Sequence, residues 1–376
     1  MLSANSCWNL LNFRGALIDG LQAAGYHLAA FAPADPHAEE LRRRGVEVHD
    51  MPMERSGMNP LADVRLLLRY LRVLRSLGPA AYCGFTIKPN VYGAVAARWA
   101  GVPAINNVTG LGTMYLSRGS TWRLTARLYR WAFKRSARVF LHNGEDLRIF
   151  IDQEIVRPDQ AQLIPGSGVN LDYFRPVEAA RESRGRTFLF IGRALRDKGI
   201  GEYVEAARKL RKRMPDVRFQ LLGNTDPGNP TSVSQSLLQS WVDEGLIEHL
   251  REQSDVRSAI GRATAVVLPS YREGMSRALL EAAAMGKPLV GTDVAGCREL
   301  IHEGVTGALC RPRDASSLAD AMERIARTPP SDLARLGKAA RALVEREFSE
   351  DVVVRAYLDA LDRVGAQLSL RPTATQ

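Results

Sequence analysis

Cysteine is scarce in this chain, and the four that occur are scattered. Cys7, Cys83, Cys297 and Cys310 form no Cys-x-x-Cys pair and have no pair of histidines nearby. This spacing argues against both a disulfide framework and a zinc site. The sequence therefore predicts four ordinary buried thiols.

Long apolar runs are also missing. No stretch approaches the roughly 18 uncharged apolar residues that a membrane-spanning helix requires, and the opening MLSANSCWNL has neither the basic leader nor the apolar centre of a secretion signal. These features predict a cytoplasmic protein. Its 376 residues, 45% hydrophobic and 24% charged, suit two globular domains.

Acidic residues are too few to balance the basic ones, which leaves a formal charge of +10. Residues 1–170 hold 20 Lys and Arg against 13 Asp and Glu, a net +7, and residues 171–376 hold 31 against 28, a net +3. The segment Arg118–Arg138 contains seven bases and no acid. The positive charge is therefore concentrated in one segment.

Helix-like and strand-like patterns alternate along both halves of the chain. Amphipathic stretches such as VRLLLRYLRVLRSLG precede short apolar runs such as AAYCGFTI, and the rhythm restarts at Thr187. Short connections between such elements imply parallel sheets covered by helices. The sequence thus predicts an α/β protein with two Rossmann-like, doubly wound domains.

The charged, proline-containing stretch 171–186 is the predicted hinge. We assign residues 1–170 to the first domain and residues 171–365 to the second, with the last helix able to pack back on the first, and we expect a disordered tail over 366–376. Only Met1–Ala4 precede the first helical pattern. The first strand is therefore either unusually short or, in the interpretation we favour, lacks its beginning.

Two cations follow the apolar run TFLFI, at the carboxyl end of a predicted parallel strand, where this architecture binds ligands. Gly192 permits close backbone approach there, and Arg193 and Lys198 suit a diphosphate. The alternative is that both cations are solvated loop charges.

Two glutamates lie eight residues apart in SYREGMSRALLEAAAMGKP. Glu273 and Gly274 lie in another carboxyl-end loop, and the helix that follows offers its N–H groups and positive end to phosphate or sugar hydroxyls. On an ideal helix Glu281 would project about 80° from Glu273. A carboxylate among Leu and Ala needs donors: either ribose hydroxyls or, if Glu281 is a structural brace, a backbone N–H or an arginine.

These motifs resemble a known family. The glutamate pair with its flanks, preceded by FLFIGRALRDKGI and LIPGSGVNLDYFRP, resembles the retaining GT-B glycosyltransferases of family four over nearly the whole chain. SCWNLLNFR, FTIKPNVYG and PAINNVTGLGT are similar to the bacterial branch that extends glycans on undecaprenyl diphosphate, including N-acetylgalactosaminyltransferases. The resemblance implies a GT-B fold, in which two Rossmann-like domains face each other across a cleft.

The resemblance also implies roles for individual residues. Arg193 and Lys198 would neutralise the departing diphosphate, since negative charge grows there in the transition state. Glu281 would hold the ribose, and Glu273, with the backbone of the next two residues, would position the transferred sugar. The implied donor-binding set is Gly192, Arg193, Lys198, Glu273, Gly274, Met275 and Glu281, of which Arg193, Lys198 and Glu273 are the catalytic candidates.

The same resemblance implies a reaction without metal or cofactor, and the chain contains no Asp-x-Asp. Ser276 stands where the family favours proline. Many relatives carry a histidine near the reacting carbon, whereas the matching loop here is VTGLGT, in which Thr109, Gly110 and Gly112 could present backbone groups to the sugar. No acceptor base emerges, and the departing phosphate could take the proton.

Other first-half residues are candidates for phosphate or acceptor binding. Asn12 and Arg14, at the first loop and helix start, are phosphate-side candidates, although an asparagine there often only caps the helix. Lys88 in FTIKPNVYG is a candidate for the acceptor's diphosphate, with Pro89 restricting Lys88 to extended backbone. The alternative is an incidental lysine in a loop that leads into a helix.

The basic segment predicts an amphipathic helix with a cationic face. Its bases are Arg123, Arg127, Arg130 and Lys134, and Leu124, Leu128 and Trp131 line another face. Such a helix suits an anionic membrane, at about 1 kcal/mol per base, and the arginines of 65–75 could extend the patch. We therefore expect peripheral association with the inner membrane. The alternative is a helix packed on the sheet with solvated arginines.

Three functions stay open at this stage. The favoured one is a glycosyltransferase that takes a nucleotide sugar and a lipid-linked glycan and binds no nucleic acid. A nucleotide-sugar epimerase of the same architecture would need no basic apolar helix. A nucleic-acid-binding protein would use the basic segment, but it would leave the carboxyl-end loops unexplained. The sequence sets neither the donor sugar nor the oligomeric state.

Overall fold

The chain folds into two compact units in a computed structural model. The structure describes residues 1–54, 59–112, 115, 119–176, 185–251, 253 and 255–369. The first unit comprises Met1–Ser167 together with Glu350–Gln376, and the second comprises Gly168–Ser349. The chain thus leaves the first unit once and returns to it for its final helix.

The described part of the first unit is built on seven parallel strands in the order β3-β2-β1-β4-β5-β6-β7. They are β1 (Leu2–Ser3), β2 (Ala29–Ala32), β3 (Glu47–Asp50), β4 (Tyr82–Gly84), β5 (Ala104–Val108), β6 (Arg138–Leu141) and β7 (Ala161–Leu163). The central β1 has only two residues, yet it pairs with β2 on one side and β4 on the other.

Helices cover both faces of this sheet. They are α1 (Cys7–Ala23), α2 (Ala38–Arg43), α3 (Pro60–Leu77), α4 (Ala94–Ala100), α5 (Ser120–Phe133), α6 (Gly144–Asp152) and, at the end of the chain, α13 (Glu350–Ser369). A π-helical turn, Pro89–Gly93, leads into α4. One apolar cluster joins the sheet to α3, α4 and α5, and another joins it to α1, α2 and α13. Local signals start the helices: Asn59 caps α3 ahead of a proline, and Ser6 caps α1.

The described part of the second unit is built on six parallel strands in the order β10-β9-β8-β11-β12-β13. They are β8 (Thr187–Ile191), β9 (Arg218–Leu222), β10 (Glu248–His249), β11 (Ala265–Leu268), β12 (Leu289–Thr292) and β13 (Gly307–Cys310). The helices are α7 (Ile200–Arg213), α8 (Gln235–Asp243), α9 (Arg257–Arg262), α10 (Arg277–Ala284), α11 (Ala315–Arg327) and α12 (Pro330–Glu347). All residues of β8 and β11 are buried, as expected for strands covered on both faces.

Strand order reverses between β1 and β4 in the first unit and between β8 and β11 in the second. In open parallel sheets, ligands bind outside the carboxyl ends of the strands at such a switch point. The predicted α/β class with two Rossmann-like domains is confirmed, and the switch points locate where each unit would hold a ligand.

The domain limits differ in detail from the prediction. The division falls at 167/168 and not at 170/171. The last helix, α13, lies in the first unit, which is the packing that the prediction allowed for it. That helix runs to Ser369, into the stretch predicted to be disordered, and the rest of that tail lies outside the described residues. The four cysteines are free and buried, as predicted. Among the described helices, none has both the length and the apolar character that crossing a bilayer demands.

Candidate functional site

Glycines bring two loops of the second unit together beside β8. Gly192 directly follows β8, and Gly223 directly follows β9, with φ angles of +150° and +141°. A Cβ on Gly223 would lie 2.1 Å from the carbonyl oxygen of Gly192, so no larger residue fits there. The close approach of a ligand at Gly192 stays a prediction, and the close contact between the two loops depends on Gly223, which the sequence analysis did not single out.

The loop after β8 closes onto the loop after β11. A 3₁₀ turn, Arg196–Lys198, ends at Gly199, where φ is +75° and an added Cβ would lie 2.1 Å from the Pro269 carbonyl oxygen. The backbone N–H of Tyr271 donates to the carbonyl of Asp197 (2.9 Å). These contacts hold the two carboxyl-end loops side by side at the switch point.

Lys198 and Glu273, both predicted site residues, meet between these loops. The Lys198 Nζ donates to the Glu273 Oε1 over 2.5 Å, and the side chains are 27% and 10% exposed. Because the two residues are 75 positions apart, only the parallel-sheet topology brings them together. Any phosphate that recruits Lys198 must compete with this carboxylate.

Arg193, the other predicted diphosphate cation, has an acidic partner of its own. Its Nη1 lies 2.6 Å from the Asp226 Oδ2, and the arginine side chain is 58% exposed. Asp226 belongs to the loop after β9, and the strand-like sequence VRFQLLG of β9 places that loop at the carboxyl end of the sheet. That placement was the available signal for Asp226, and our sequence analysis did not use it.

Glu273 is held in a turn ahead of the helix. Its backbone N–H donates to the carbonyl of Ala295 (3.1 Å), and Gly296, with φ of +80°, is so close that an added Cβ would lie 2.5 Å from the Cβ of Glu273. Helix α10 begins at Arg277, after the N-cap Ser276, whose hydroxyl accepts from the N–H of Leu279. The prediction of an 80° angle on one continuous helix was therefore wrong. Ser276, which replaces the family's proline, is the residue that starts the helix.

Glu281 is buried on α10 and forms an ion pair with Arg277. The Arg277 Nε donates to the Glu281 Oε1 over 2.7 Å, one turn apart on the same helix. Burial raises the pKa of the Glu281 carboxyl, and the Arg277 charge opposes that rise. This is the arginine contact that the structural-brace interpretation requires. The ribose-binding role stays a prediction, and Arg277, one helical turn before Glu281, was not anticipated.

The phosphate-side candidates of the first unit lie farther along helix α1 than predicted. Asn12 and Arg14 are in the second and third turns of α1, which starts at Cys7, and not at its first turn, so that prediction was wrong. Asn12 is exposed, whereas Arg14 is 3% exposed and stacks over the Phe85 ring at 4.6 Å. In this position Arg14 serves the packing of the first unit.

A buried polar network that the sequence analysis missed lies next to Arg14. His142, directly after β6, donates from Nε2 to the side-chain oxygen of Asn107 (2.7 Å), and the Asn107 amide donates to the hydroxyl of Tyr357 on α13 (2.9 Å). Burial, with the nearby Arg14 charge, lowers the pKa of His142 to about 3. The histidine is therefore neutral, and it helps to fix the final helix to the sheet.

Lys88 follows β4 and adopts a helical backbone, with φ of −64° and ψ of −46°. The prediction of an extended conformation was wrong, because a π-helical turn begins directly at Pro89. The Lys88 Nζ lies 2.9 Å from the Asp63 Oδ1, and the two side chains are 12% and 8% exposed. A diphosphate at Lys88 would therefore face a buried carboxylate.

Thr109 and Gly110 follow β5, at the same edge of the first sheet. Thr109 is exposed, and Gly110 has a φ of +130°, which few other residues adopt. Gly112 also has a positive φ, +57°. Residues 113, 114 and 116–118, the last of which is Arg118 of the basic segment, lie outside the described residues.

Helix α5 combines a packed face with a basic face. Arg123, Arg127, Arg130 and Lys134 are exposed, and the interior face is formed by Trp122, Ala126, Tyr129 and Phe133. Leu124 and Trp131 stay 43% and 41% exposed beside the bases, and Trp131 contacts the exposed Trp99 of α4. The two alternatives for this helix therefore describe different faces.

Across the described part of the chain, no group of three or more His, Cys, Asp or Glu is arranged to hold a metal ion.

Two family descriptions match the chain, one in each half. Residues 13–166 match "Glycosyl transferase 4-like domain", and residues 185–328 match "Glycosyl transferases group 1". Both ranges include the carboxyl-end loops described above.

Among characterised relatives, the N,N'-diacetylbacillosaminyl-diphospho-undecaprenol alpha-1,3-N-acetylgalactosaminyltransferase of Campylobacter jejuni is 28% identical over 95% of this chain and 96% of its own length. The UDP-Gal:alpha-D-GlcNAc-diphosphoundecaprenol alpha-1,3-galactosyltransferase of Escherichia coli is 26% identical over 70% of this chain and 71% of its own.

Solved structures match nearly the full length. Sucrose-phosphate synthase from Thermosynechococcus elongatus has a TM-score of 0.80 at 19% identity, covering 97% of this chain and 98% of that one. The Anabaena protein HepE in complex with UDP and glucose has a TM-score of 0.74 at 18% identity, covering 98% and 99%. At these identities the likeness shows the fold alone.

Proposed function

The chain belongs to the glycosyltransferases that join a glycosyl transferase 4-like domain to a group 1 domain, and from this premise we propose its reaction. It transfers a hexose or N-acetylhexosamine, with retention, from a UDP-sugar to a glycan on undecaprenyl diphosphate. The setting is the synthesis of a bacterial surface polysaccharide or protein glycan. Support comes from the relatives named above, two of which act on undecaprenyl-diphosphate-linked sugars.

The observation that carries the proposal is the meeting of Lys198 and Glu273 at the switch point of the second unit. A lysine beside a carboxylate offers a donor to a phosphate and an acceptor to a sugar hydroxyl within one contact distance. Arg193 lies on the same loop as Lys198 and can reach the second phosphate of a diphosphate. Both cations have acidic partners at rest, so binding of the nucleotide sugar exchanges these partners for phosphate oxygens.

In the proposed reaction, the bond between the sugar C1 and the diphosphate oxygen breaks as the bond from C1 to the acceptor oxygen forms on the same face. Arg193 and Lys198 stabilise the charge that develops on the leaving diphosphate, where fixed donors have their largest effect. The acceptor hydroxyl passes its proton to the departing phosphate. Glu273, with the Gly274 and Met275 backbone, holds the sugar, and Glu281 holds the ribose. The reaction needs neither metal nor cofactor.

The proposed setting is the cytoplasmic face of the inner membrane, with α5 as the contact. Support comes from its exposed bases beside the exposed Leu124 and Trp131. Exchange of Arg123 and Arg127 for glutamine should weaken binding to phosphatidylglycerol vesicles roughly 30-fold, from about 1 kcal/mol per base. The matched control is Arg42→Gln with Arg43→Gln, two exposed bases of α2 on the same unit; equal loss in both double variants would contradict the proposal.

The donor assignment is tested by calorimetric titration with UDP, GDP, UDP-N-acetylgalactosamine and UDP-N-acetylglucosamine, without added metal. We expect a uridine nucleotide to bind and Arg193→Ala to abolish that binding. Release of UDP that depends on a lipid-linked acceptor would distinguish a transferase from the epimerase alternative. Binding of double-stranded DNA alone, lost steeply with salt, would instead favour the nucleic-acid alternative.

A further inference from the structure

The first unit contains a second lysine–carboxylate pair, and it lines a cavity of about 270 Å³. Lys88 and Asp63 form the polar end of this cavity, with Glu54 beside them, and Pro52, Met53 and Leu66 supply apolar wall. Lys88 follows β4, one of the two strands at the switch point of the first sheet. The cavity therefore lies near the edge of the sheet where this architecture binds ligands.

The buried ion pair is not a feature that stability alone explains. The Lys88 and Asp63 side chains are 12% and 8% exposed and so lose most of their hydration. Their mutual attraction offsets this desolvation cost only in part. The pair also lies against a π-helical turn, an arrangement that occurs frequently at functional sites. Within that turn, burial and the nearby Asp63 carboxylate raise the pKa of Tyr92 to about 12.

The turn that carries Lys88 and Tyr92 is rigidly held. The hydroxyl of Tyr82 donates to the carbonyl of Pro89 (2.9 Å), and Gly93 leaves room for that ring, since an added Cβ would lie 1.8 Å from the hydroxyl oxygen. The side chain of Asn90 donates to the Asn107 carbonyl (2.8 Å). The backbone next to Lys88 is thus fixed before any ligand arrives, and Lys88 holds Asp63 through their ion pair, which lowers the entropic cost of binding.

The charges select the class of ligand. The Lys88 Nζ lies 2.9 Å from the Asp63 Oδ1 and 4.0 Å from the Glu54 Oε2, so among the described lining residues two carboxylates outnumber one ammonium. A phosphate or diphosphate would be repelled there. Neutral vicinal hydroxyls fit, because each can donate to a carboxylate and accept from an ammonium at the same time. At about 30 Å³ per water, the cavity holds roughly nine water molecules, a volume suited to one monosaccharide.

We propose that the cavity lined by Glu54, Asp63 and Lys88 is a monosaccharide subsite that binds a sugar of the acceptor glycan. Asp63 and Lys88 bind adjacent hydroxyls, and Met53 and Leu66 pack against the C–H face of the ring. The assignment of the site to the acceptor rests on the proposed function. Lys88 then recognises acceptor sugar and not acceptor diphosphate.

The test is saturation-transfer NMR of the full-length protein with N-acetylgalactosamine, N-acetylglucosamine and glucose, at millimolar concentrations and with the nucleotide site saturated by UDP. We expect saturation transfer to at least one of these sugars, with binding about tenfold weaker in Asp63→Asn, the usual effect of losing a hydrogen bond to a charged group. The matched control is Asp159→Asn, which removes the carboxylate of an exposed pair with Arg157 in the same unit and should leave the signal unchanged.

Glu54→Gln keeps the proposal testable if Asp63→Asn does not fold, since Glu54 also lines the cavity and its side chain is 55% exposed; binding should weaken severalfold. Absence of any saccharide signal, or signals unchanged in these variants, overturns the inference. So does calorimetric binding of inorganic diphosphate that Lys88→Gln abolishes. Binding of UDP without binding of any saccharide would support the proposed function and overturn this inference. Binding of a saccharide without binding of UDP would overturn the proposed function, and with it the assignment of the sugar to the acceptor, but would keep the saccharide subsite.

Discussion

Each unit places a lysine against a carboxylate at the point where its strand order reverses, but the two pairs are built differently. Lys198 and Glu273 both lie on loops, at 2.5 Å, and a further ion pair, Arg193 with Asp226, lies on the adjoining loops. Lys88 and Asp63 are 2.9 Å apart, and Asp63 is anchored on α3. The second unit thus keeps its charges on loops, and the first fixes them to a helix and a buried turn.

The difference reflects what each pair must do. In the proposed reaction, the cations of the second unit leave their carboxylates for phosphate oxygens and return after product release, which loop positions and partial exposure allow. In the first unit, buried charges cannot exchange partners at low cost. A neutral ligand that bridges the intact pair avoids that cost. We therefore expect substitutions to affect stability in the first unit and turnover in the second.

The largest expected effect is on the stability of the first unit. Lys88→Met leaves Asp63 buried without its cation, and breaking a buried pair in this way costs about 3–5 kcal/mol of unfolding free energy. Urea denaturation followed by circular dichroism measures it. Lys134→Met, an exposed lysine of the same unit, is the control; a loss below about 1 kcal/mol in Lys88→Met would mean that the pair is solvated.

The corresponding substitution in the second unit should act on catalysis. Lys198→Met removes a donor to the leaving diphosphate, and such losses lower kcat about 10²–10³-fold. Turnover is measured as acceptor-dependent UDP release, with the exposed Lys212 of α7 as the control in Lys212→Met. Turnover within about threefold of wild type would exclude Lys198 from the reaction.

The buried network of the first unit predicts a pH dependence of stability. The pKa of His142 is about 3 in the folded chain, and its ordinary value is 6.5. Below pH 6.5 the unfolded chain therefore binds a proton that the folded chain does not. The free energy of unfolding decreases as the pH is lowered from about 6.5 towards 3. His142→Gln should reduce the loss between pH 7 and pH 5 by about 2 kcal/mol. The exposed His27→Gln should leave it unchanged; the same loss in both variants would contradict the burial argument.

If Lys198 exchanges Glu273 for phosphate, removal of the Glu273 charge should raise the affinity for UDP and lower the rate of sugar transfer. Glu273→Gln releases Lys198 for phosphate, so UDP should bind on the order of tenfold more tightly, about 1.4 kcal/mol, whereas transfer of the sugar slows. Calorimetry with UDP and the turnover assay report the two quantities separately. Glu244→Gln, which removes an exposed partner of Arg208, is the control. Weaker UDP binding in Glu273→Gln would show that the pair does not restrain Lys198.

The smallest effect is expected at Arg277. The Arg277 charge opposes the upward shift of the Glu281 pKa, so Arg277→Met should raise that pKa further. The affinity for UDP should fall as the pH is lowered, because the protonated Glu281 carboxyl accepts fewer hydrogen bonds from a ribose. In Arg277→Met this loss of affinity, the acid limb of the pH profile, should begin at a higher pH. Calorimetric titrations from pH 5 to pH 8 measure the limb, and Glu281→Gln should abolish it. A limb that stays in place in Arg277→Met would show that Glu281 does not titrate with nucleotide binding.

The second unit was the more predictable from sequence, and the reason is local. Arg193, Lys198 and Glu273 each follow a long apolar strand within a few residues, so knowing the strands places them at one edge. Strand β1 has two residues, and its pairing with both neighbours depends on the rest of the sheet.

The side chains that form ion pairs with the site residues were the part of the site that the sequence pattern could not predict. Asp63 is a single acid in a helix rich in arginine, and its role depends on a π-helical turn 25 residues later. The 80° estimate for Glu281 failed because it assumed one helix where a turn and an N-cap intervene. Arg277 is revealed only by its side-chain contact with Glu281, whereas the strand before Asp226 could have placed Asp226 at the edge of the sheet.

The return of α13 to the first unit has a consequence for the order of folding on the ribosome. Tyr357 is fully buried against the sheet of the first unit, so that unit cannot complete its core until almost the whole chain has emerged. The second unit ends at Ser349 and has all its residues available earlier. The usual sequence, in which the N-terminal domain is finished first, is therefore reversed here: the domain begun first is the last to be completed.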